Sequence, residues 1–188
     1  MRTKKFLMIL MAVFQTAMLL AVEPAKPVNE FMLFLSEPAT ELFVSYEGRF
    51  KAMFPETPTK SEQEVTLSDE LGKTTIYSFM YETSELVYMV SYCDYPATYT
   101  ANADIQDLLK KGQGGFETSL KLTNEFSESV SLQGYKGIHF KSKNDEYYAE
   151  MKDFLIGNRL YQIGILKYGS YATGTADKGF FESLTFIN

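Results

Sequence analysis

The stretch from Tyr147 to Lys167 constrains the fold more than any other part of this sequence. Two runs rich in aromatic and β-branched residues flank Gly157-Asn158, and a two-residue connection that opens on glycine is typical of a type II′ hairpin. The pairs predicted outward from the turn are Ile156 with Arg159, Leu155 with Leu160, and Phe154 with Tyr161. The stretch is therefore predicted to be a β-hairpin with a fixed register.

The same register predicts what covers the hairpin. Leu155 and Leu160 share one face, whereas the opposite face carries Phe154, Tyr161, Ile163 and Ile165. A strand pair with apolar side chains on both faces needs cover on both sides. We therefore expect this hairpin in the middle of an antiparallel sheet.

Composition bounds the class of protein. The 188 residues fit one domain of ordinary size after removal of a leader, and 13 Tyr and 15 Phe favour strands. The formal net charge is -6, which repels phosphate backbones and argues against nucleic-acid binding. Cys93 is the only cysteine, so no disulfide can form within the chain.

The N-terminus has the pattern of an export signal. Arg2, Lys4 and Lys5 precede an apolar run from Phe6 to Val22, which predicts a signal peptide over residues 1–21. Cleavage near Ala21 is favoured over retention as a membrane anchor, because the run falls short of the ~20 residues that a span needs. The predicted location is periplasmic or secreted, with membrane attachment only if the leader is retained.

The rest of the chain divides into a linker over residues 22–44 and a single domain over residues 45–188. Alternating patterns predict strands around residues 50–54, 62–67, 74–81, 86–95 and 122–132. A long helix is predicted from a cap at Asn102, with Asp104 in its first turn and an apolar stripe reaching Leu120. A shorter helix is predicted from Thr175 to about Leu184. The expected fold is α+β, a single antiparallel sheet with one long and one short helix packed against it.

Four stretches carry a resemblance to a known group of proteins. GRFKAMFP near residue 48, MVSYCDYP at 89–96, the long helix, and LIGNRLYQI at 155–163 resemble small exported bacterial proteins of unassigned function. That group is similar in architecture to the PsbP-type fold, an antiparallel sheet with helices against it. The resemblance spans about residues 46 to 187 and implies the fold, but no functional residue is carried over from it.

Candidate catalytic residues are few. Cys93 and His139 could form a thiolate and base pair if the fold brought them together, which would make the protein an enzyme. The competing interpretation is that Cys93 is a small core residue and that His139 lies on a solvated face beside Lys141 and Lys143. One His, one Cys and scattered carboxylates give no metal-ligand spacing, and no cofactor is predicted.

The predicted binding residues surround one loop. Tyr95 and Tyr99 lie between a central strand and the long helix, next to Asp94, and Arg159 follows the Gly157 turn. Helix N-termini attract anions and tyrosines cover ligands well, although such tyrosines can also merely rim a sheet. We therefore predict a non-catalytic exported binding or accessory module whose partner is a protein or small molecule of the cell envelope.

Overall fold

The described part of the chain consists mainly of antiparallel strands. The computed structural model describes residues 41–68 and 71–187, so the predicted signal peptide and most of the predicted linker lie outside the described residues. The strands are β1 (Glu41–Ser45), β2 (Phe50–Phe54), β3 (Thr59–Ser68), β4 (Gly72–Glu82), β5 (Leu86–Asp94), β6 (Thr123–Leu132), β7 (Tyr135–Lys143), β8 (Tyr147–Ile156), β9 (Arg159–Tyr168) and β10 (Thr185–Phe186). The helices are α1 (Ala97–Thr100), α2 (Ile105–Leu120) and α3 (Thr175–Ser183).

The hairpin predicted from Gly157-Asn158 is confirmed as β8 and β9. Ile156 pairs with Arg159, Leu155 with Leu160 and Phe154 with Tyr161. Gly157 has a φ of 63°, whereas Asn158 is not among the residues with positive φ, as a type II′ turn requires. The hairpin lies in the middle of a seven-stranded sheet of order β3-β4-β5-β9-β8-β7-β6.

The prediction of a single sheet is wrong. β1, β2 and β10 form a separate three-stranded sheet that packs on one face of the seven-stranded sheet. The chain changes layer between Phe54 and Thr59, because β2 has a fully buried row, Phe50, Ala52 and Phe54, that needs an apolar partner surface. Phe50 meets Phe79 of β4 edge to face, with ring centroids 5.4 Å apart.

The two faces of the seven-stranded sheet carry different cores. The face that meets the three-stranded sheet and α3, here called the aromatic face, includes Phe79, Tyr92, Phe154, Tyr161 and Ile163. The opposite face, here called the α2 face, packs against the long helix and includes Val87, Phe140, Met151, Leu155 and Leu160. Both faces of the central hairpin are therefore covered, as its sequence predicts.

The long helix starts later than predicted. Asp104 is its N-cap, and its carboxylate accepts hydrogen bonds from the backbone N–H groups of Gln106 and Asp107. Asn102 therefore does not cap it, since this residue lies in a short turn between α1 and Asp104. Gly112 lies against the sheet, where a Cβ would be 3.1 Å from Leu160 Cδ2. The short helix is confirmed over Thr175–Ser183, with Phe180 fully buried.

Gly157→Val should destabilise the protein by about 1 to 3 kcal/mol, because a β-branched side chain tolerates positive φ poorly. No atom lies within 4 Å of the position that a Cβ would take, so the cost comes from the backbone alone. Urea unfolding measures it, and Gly157→Asn is the matched control because Asn accepts positive φ more readily. Equal stability of the Val variant and the wild type would contradict the turn assignment.

Candidate ligand-binding cleft

α2 covers only part of the α2 face. The helix packs over β7 and β8, whereas β3, β4 and β5 lie beyond its edge. A cleft of about 590 Å³ lies between the helix and these strands, and we call it the α2 cleft. Its apolar lining consists mainly of Val65, Leu67, Ile76, Met89, Phe116, Leu120 and Leu160. A volume and lining of this kind are typical of sites for small apolar or amphipathic molecules.

A row of polar side chains crosses the α2 face beneath the cleft. Each member is directly paired with the next on the neighbouring strand, in the order Ser61, Ser78, Ser91, Gln162 and Asp153. We call these five residues the polar row. Strands are ~4.8 Å apart, so the four members from Ser61 to Gln162 span about 14 Å. Ser78, Ser91 and Gln162 line the α2 cleft itself.

Several polar atoms here have no hydrogen-bond partner among the described residues. They are Ser61 Oγ, Ser78 Oγ, Asp153 Oδ1 and the neighbouring Gln63 Oε1, and all four are buried. Ser78 is fully buried, and both it and Gln63 line the cleft. A buried polar atom without a hydrogen-bond partner costs about 1–3 kcal/mol. The two such atoms in the cleft, Ser78 Oγ and Gln63 Oε1, therefore indicate a place where a polar group of a ligand would bind.

Asp153 is the charged member of the polar row. Its side chain is fully buried beneath α2, and its Oδ2 accepts a hydrogen bond of 2.9 Å from Gln162 Nε2. Burial raises the pKa of this carboxyl to about 8, because no cation compensates for lost hydration. Asp153 is therefore uncharged at neutral pH and below.

Tyr95 and Tyr99 line the α2 cleft at the end where β5 passes into α1. Their rings meet edge to face with centroids 5.9 Å apart, and Lys111 Nζ donates a 3.1 Å hydrogen bond to Tyr99 Oη. The backbone N–H of Tyr95 donates to Asn158 O, and Asn158 Nδ2 donates to Tyr95 O. The central hairpin turn thus holds this loop in place.

Asp94 and Arg159 lie elsewhere, so the predicted four-residue site is divided. Arg159 donates two hydrogen bonds to the Asp94 carboxylate, at 2.7 and 2.8 Å, and a third to Glu47 O. Its guanidinium also lies 4.3 Å from the ring centroid of Tyr92 on the aromatic face. Arg159 is therefore a paired cation whose side chain is only 19% exposed. Both residues line a separate cleft of about 230 Å³.

The Cys93 and His139 pair does not form. Cys93 lies on the α2 face, whereas His139 projects from β7 on the opposite face, and β9 and β8 separate their strands. Burial raises the pKa of the Cys93 thiol to about 12, which disfavours the thiolate that nucleophilic chemistry needs.

His139 contacts two carboxylates. Its ring nitrogens lie 3.2 Å from Glu128 Oε1 and 2.9 Å from Glu150 Oε1, and its side chain is only 14% exposed. The solvated face predicted for it is therefore largely covered.

The glycine-rich residues 111–116, KGQGGF, lie within α2. Among the described residues, no group of three or more His, Cys, Asp and Glu side chains could hold a metal ion. No helix in the described ranges is long and apolar enough to cross a membrane.

Sequence reasoning found the tyrosines but missed the polar row. A signal existed in the alternation of β5, β8 and β9. Among the residues whose parity places them on the α2 face, Ser91, Asp153 and Gln162 interrupt otherwise mainly apolar rows. Their alignment depends on how β4, β5, β9 and β8 pair, which the sequence does not specify beyond the hairpin.

No protein-family model and no curated protein matches this sequence. Among solved structures, the chain is similar to the solution structure of cyanobacterial PsbP (CyanoP) from Synechocystis sp. PCC 6803, with a TM-score of 0.53. The two sequences are 8% identical, and the match covers 82% of this chain and 96% of that chain. At this identity the likeness concerns the fold alone. The protein thus has a PsbP-like fold, composed here of two antiparallel sheets and few helices.

Proposed function

We propose that this protein is an exported, non-catalytic binding protein that holds a small amphipathic molecule in the α2 cleft. The observation that carries the proposal is the combination of a mainly apolar cleft with unpartnered polar atoms at Ser78 and Gln63. An occupant that supplies their partners would remove the energetic cost of leaving these two buried polar atoms unpaired.

Catalysis is the weaker alternative. The enzyme hypothesis required Cys93 beside His139, and the two side chains lie on opposite faces of the sheet. Burial is also the main influence on the thiol and raises its pKa, and the charge of Arg159, which lowers the pKa, does not offset that burial. Binding requires only the shape and lining of the cleft.

Export is supported by the positively charged start and apolar run of residues 1–22. The proposed setting is the periplasm or the exterior of the cell, where the ligand comes from the cell envelope. The net charge of -6 supports a partner other than nucleic acid. The proposed function requires no cofactor.

Gly115→Leu should weaken binding of the uncharged fluorescent probe N-phenyl-1-naphthylamine by about tenfold or more, which corresponds to about 1.4 kcal/mol. Gly115 lines the cleft, and no atom lies within 4 Å of the position of a Cβ there, so the new side chain would occupy the ligand's space. Fluorescence titration of the exported full-length protein measures the affinity.

Gly114→Leu is the matched control for this test. Gly114 is the preceding residue of α2 and has equally open surroundings, but it does not line the cleft. Both substitutions should favour the helix by up to ~1 kcal/mol, so a loss of fold would not explain a difference between them. Equal probe affinity in both variants would place binding outside the α2 cleft.

A further inference from the structure

We infer that the ligand of the α2 cleft is an uncharged amphipathic molecule whose polar end donates hydrogen bonds to Gln63 and Ser78. This inference rests on the proposed function and adds the chemical class of the ligand. It follows from which atoms lack partners, which charges line the cleft, and how much apolar surface remains uncovered.

The unpartnered atoms favour a hydrogen-bond donor. Gln63 Oε1 is a carbonyl oxygen and can only accept, and Ser78 Oγ accepts as well as donates. Both atoms are buried and belong to residues that line the cleft. A hydroxyl or amide N–H group would satisfy the carbonyl, whereas an ester or ether oxygen would leave it unpaired.

The charges around the cleft disfavour an anionic group at this position. Lys111 is the only charged residue among the described residues that line the cleft, and it lies at the Tyr99 end, with its ammonium group bonded to the Tyr99 hydroxyl. Deeper in the α2 face, the ionisable member of the polar row is the Asp153 carboxyl, which lies three strands from Ser78. A carboxylate or phosphate placed beside Gln63 would face acceptors and have no cation to offset its desolvation.

The apolar part of the ligand has a defined surface to cover. Ile76 and Met89 on the sheet and Phe116 on α2 are only partly buried, although each packs at the edge of the core. These three side chains line the cleft beside the polar row. An aliphatic or flat apolar body lying between them would bury their exposed surface while its polar end reaches Gln63.

Three probes that share one acyl chain test this inference by titration calorimetry on the exported full-length protein. The probes are 1-monolaurin, which donates through two hydroxyls; methyl laurate, which has no donor; and laurate, which is anionic. We expect 1-monolaurin to bind about tenfold tighter than either of the others, the difference that one well-made buried hydrogen bond provides.

Two conservative variants attribute the preference to the named atoms. Ser78→Ala and Gln63→Met remove the polar atoms with little change of shape, and removing an unpartnered polar atom should not harm the fold. Each should reduce the preference for 1-monolaurin over methyl laurate to about threefold or less, with methyl laurate affinity unchanged. An unchanged preference in both variants would overturn the inference.

Other outcomes separate this inference from the proposed function. If laurate binds tightest and Lys111→Gln weakens laurate binding, the ligand is an anion held by Lys111 at the Tyr99 end of the cleft. The inference then fails, while binding in the cleft stands. Equal affinity for all three probes would likewise overturn only the donor assignment. If no probe binds, and Gly115→Leu leaves N-phenyl-1-naphthylamine binding unchanged, the proposed function itself is wrong.

Discussion

Replacement of Asp153 by Asn should abolish a large pH dependence of stability. The carboxyl has a usual pKa of 3.8 and a folded-state pKa of about 8, since burial penalises its ionised form. Between these values the unfolded chain has lost the proton that the folded protein keeps, so the stability of the wild type falls as pH rises. The fall between pH 5 and pH 8 should be on the order of 4 kcal/mol, at 1.36 kcal/mol per pKa unit.

Urea unfolding at pH 5 and pH 8 measures this effect. Asn has the shape of the protonated carboxyl and does not titrate, so the variant should resemble the wild type at pH 5 and exceed its stability at pH 8. Asp145→Asn is the control, because that exposed residue lies outside any element, between β7 and β8. Parallel pH profiles for the wild type and Asp153→Asn would show that the Asp153 carboxyl is not buried in an uncharged form.

Gly164→Ala should cost about 3 kcal/mol or more, the upper range for overpacking a buried site. Gly164 of β9 is paired directly with Met151 of β8, and both lie on the α2 face of the central hairpin. A Cβ at Gly164 would collide with the Met151 thioether and lie 2.8 Å from Glu150 O. The Met151 side chain is almost fully buried, so it has little room to move. Thermal or urea unfolding gives the loss.

A double-mutant cycle with Met151→Ala separates the collision with the Met151 side chain from the close contact with the Glu150 carbonyl oxygen. Met151→Ala alone removes buried apolar volume and should cost about 2–5 kcal/mol. In the double variant the side-chain collision is gone, so the combined loss should fall short of the sum by about 0.5–3 kcal/mol. Simple additivity of the two losses would mean that the thioether does not fill the space above Gly164.

The sequence alone predicted those parts of the fold that depend on local chemistry. The Gly157 turn fixes the register of β8 and β9 because the turn type and the alternation of side chains point to the same pairing. Phe180 and its neighbours predicted α3 through helical spacing. The cap of α2 was misplaced by two residues, because Asn102 and Asp104 are both good caps and only the intervening turn selects Asp104.

Longer-range features were not predictable in the same way. β2 alternates as any half-buried strand does, and nothing in its sequence says that Phe50 packs on a second sheet rather than within the first. The strand predicted over residues 122–132 is present as β6, yet its apolar residue Phe126 is 40% exposed beside a register shift between Asn124 and Phe126.

The candidate site was likewise predicted only where its residues are close together in sequence. Tyr95 and Tyr99 were identified because they are neighbours in sequence at the start of a helix. Asp94 was predicted beside them, but it lies on the other side of the sheet, because adjacent strand residues point to opposite faces. There it pairs with Arg159 on the aromatic side. The polar row was missed because its members come from separate strands and meet only through pairing.

The three-stranded sheet has a consequence for the order in which the protein can be made. β10 pairs with β2, so Thr185 contacts Lys51 and Phe186 contacts Phe50 across most of the described chain. Closing so long a loop is slow and entropically costly compared with closing the β8–β9 turn. The chain is synthesised from its N-terminus, so Phe186 is among the last described residues to appear. The packing of Phe50, Phe54 and Tyr161 is complete only when Phe186 joins their cluster. Until residue 186 emerges, the cover of the aromatic face is incomplete, so the last packing step of this face follows synthesis of almost the whole described chain.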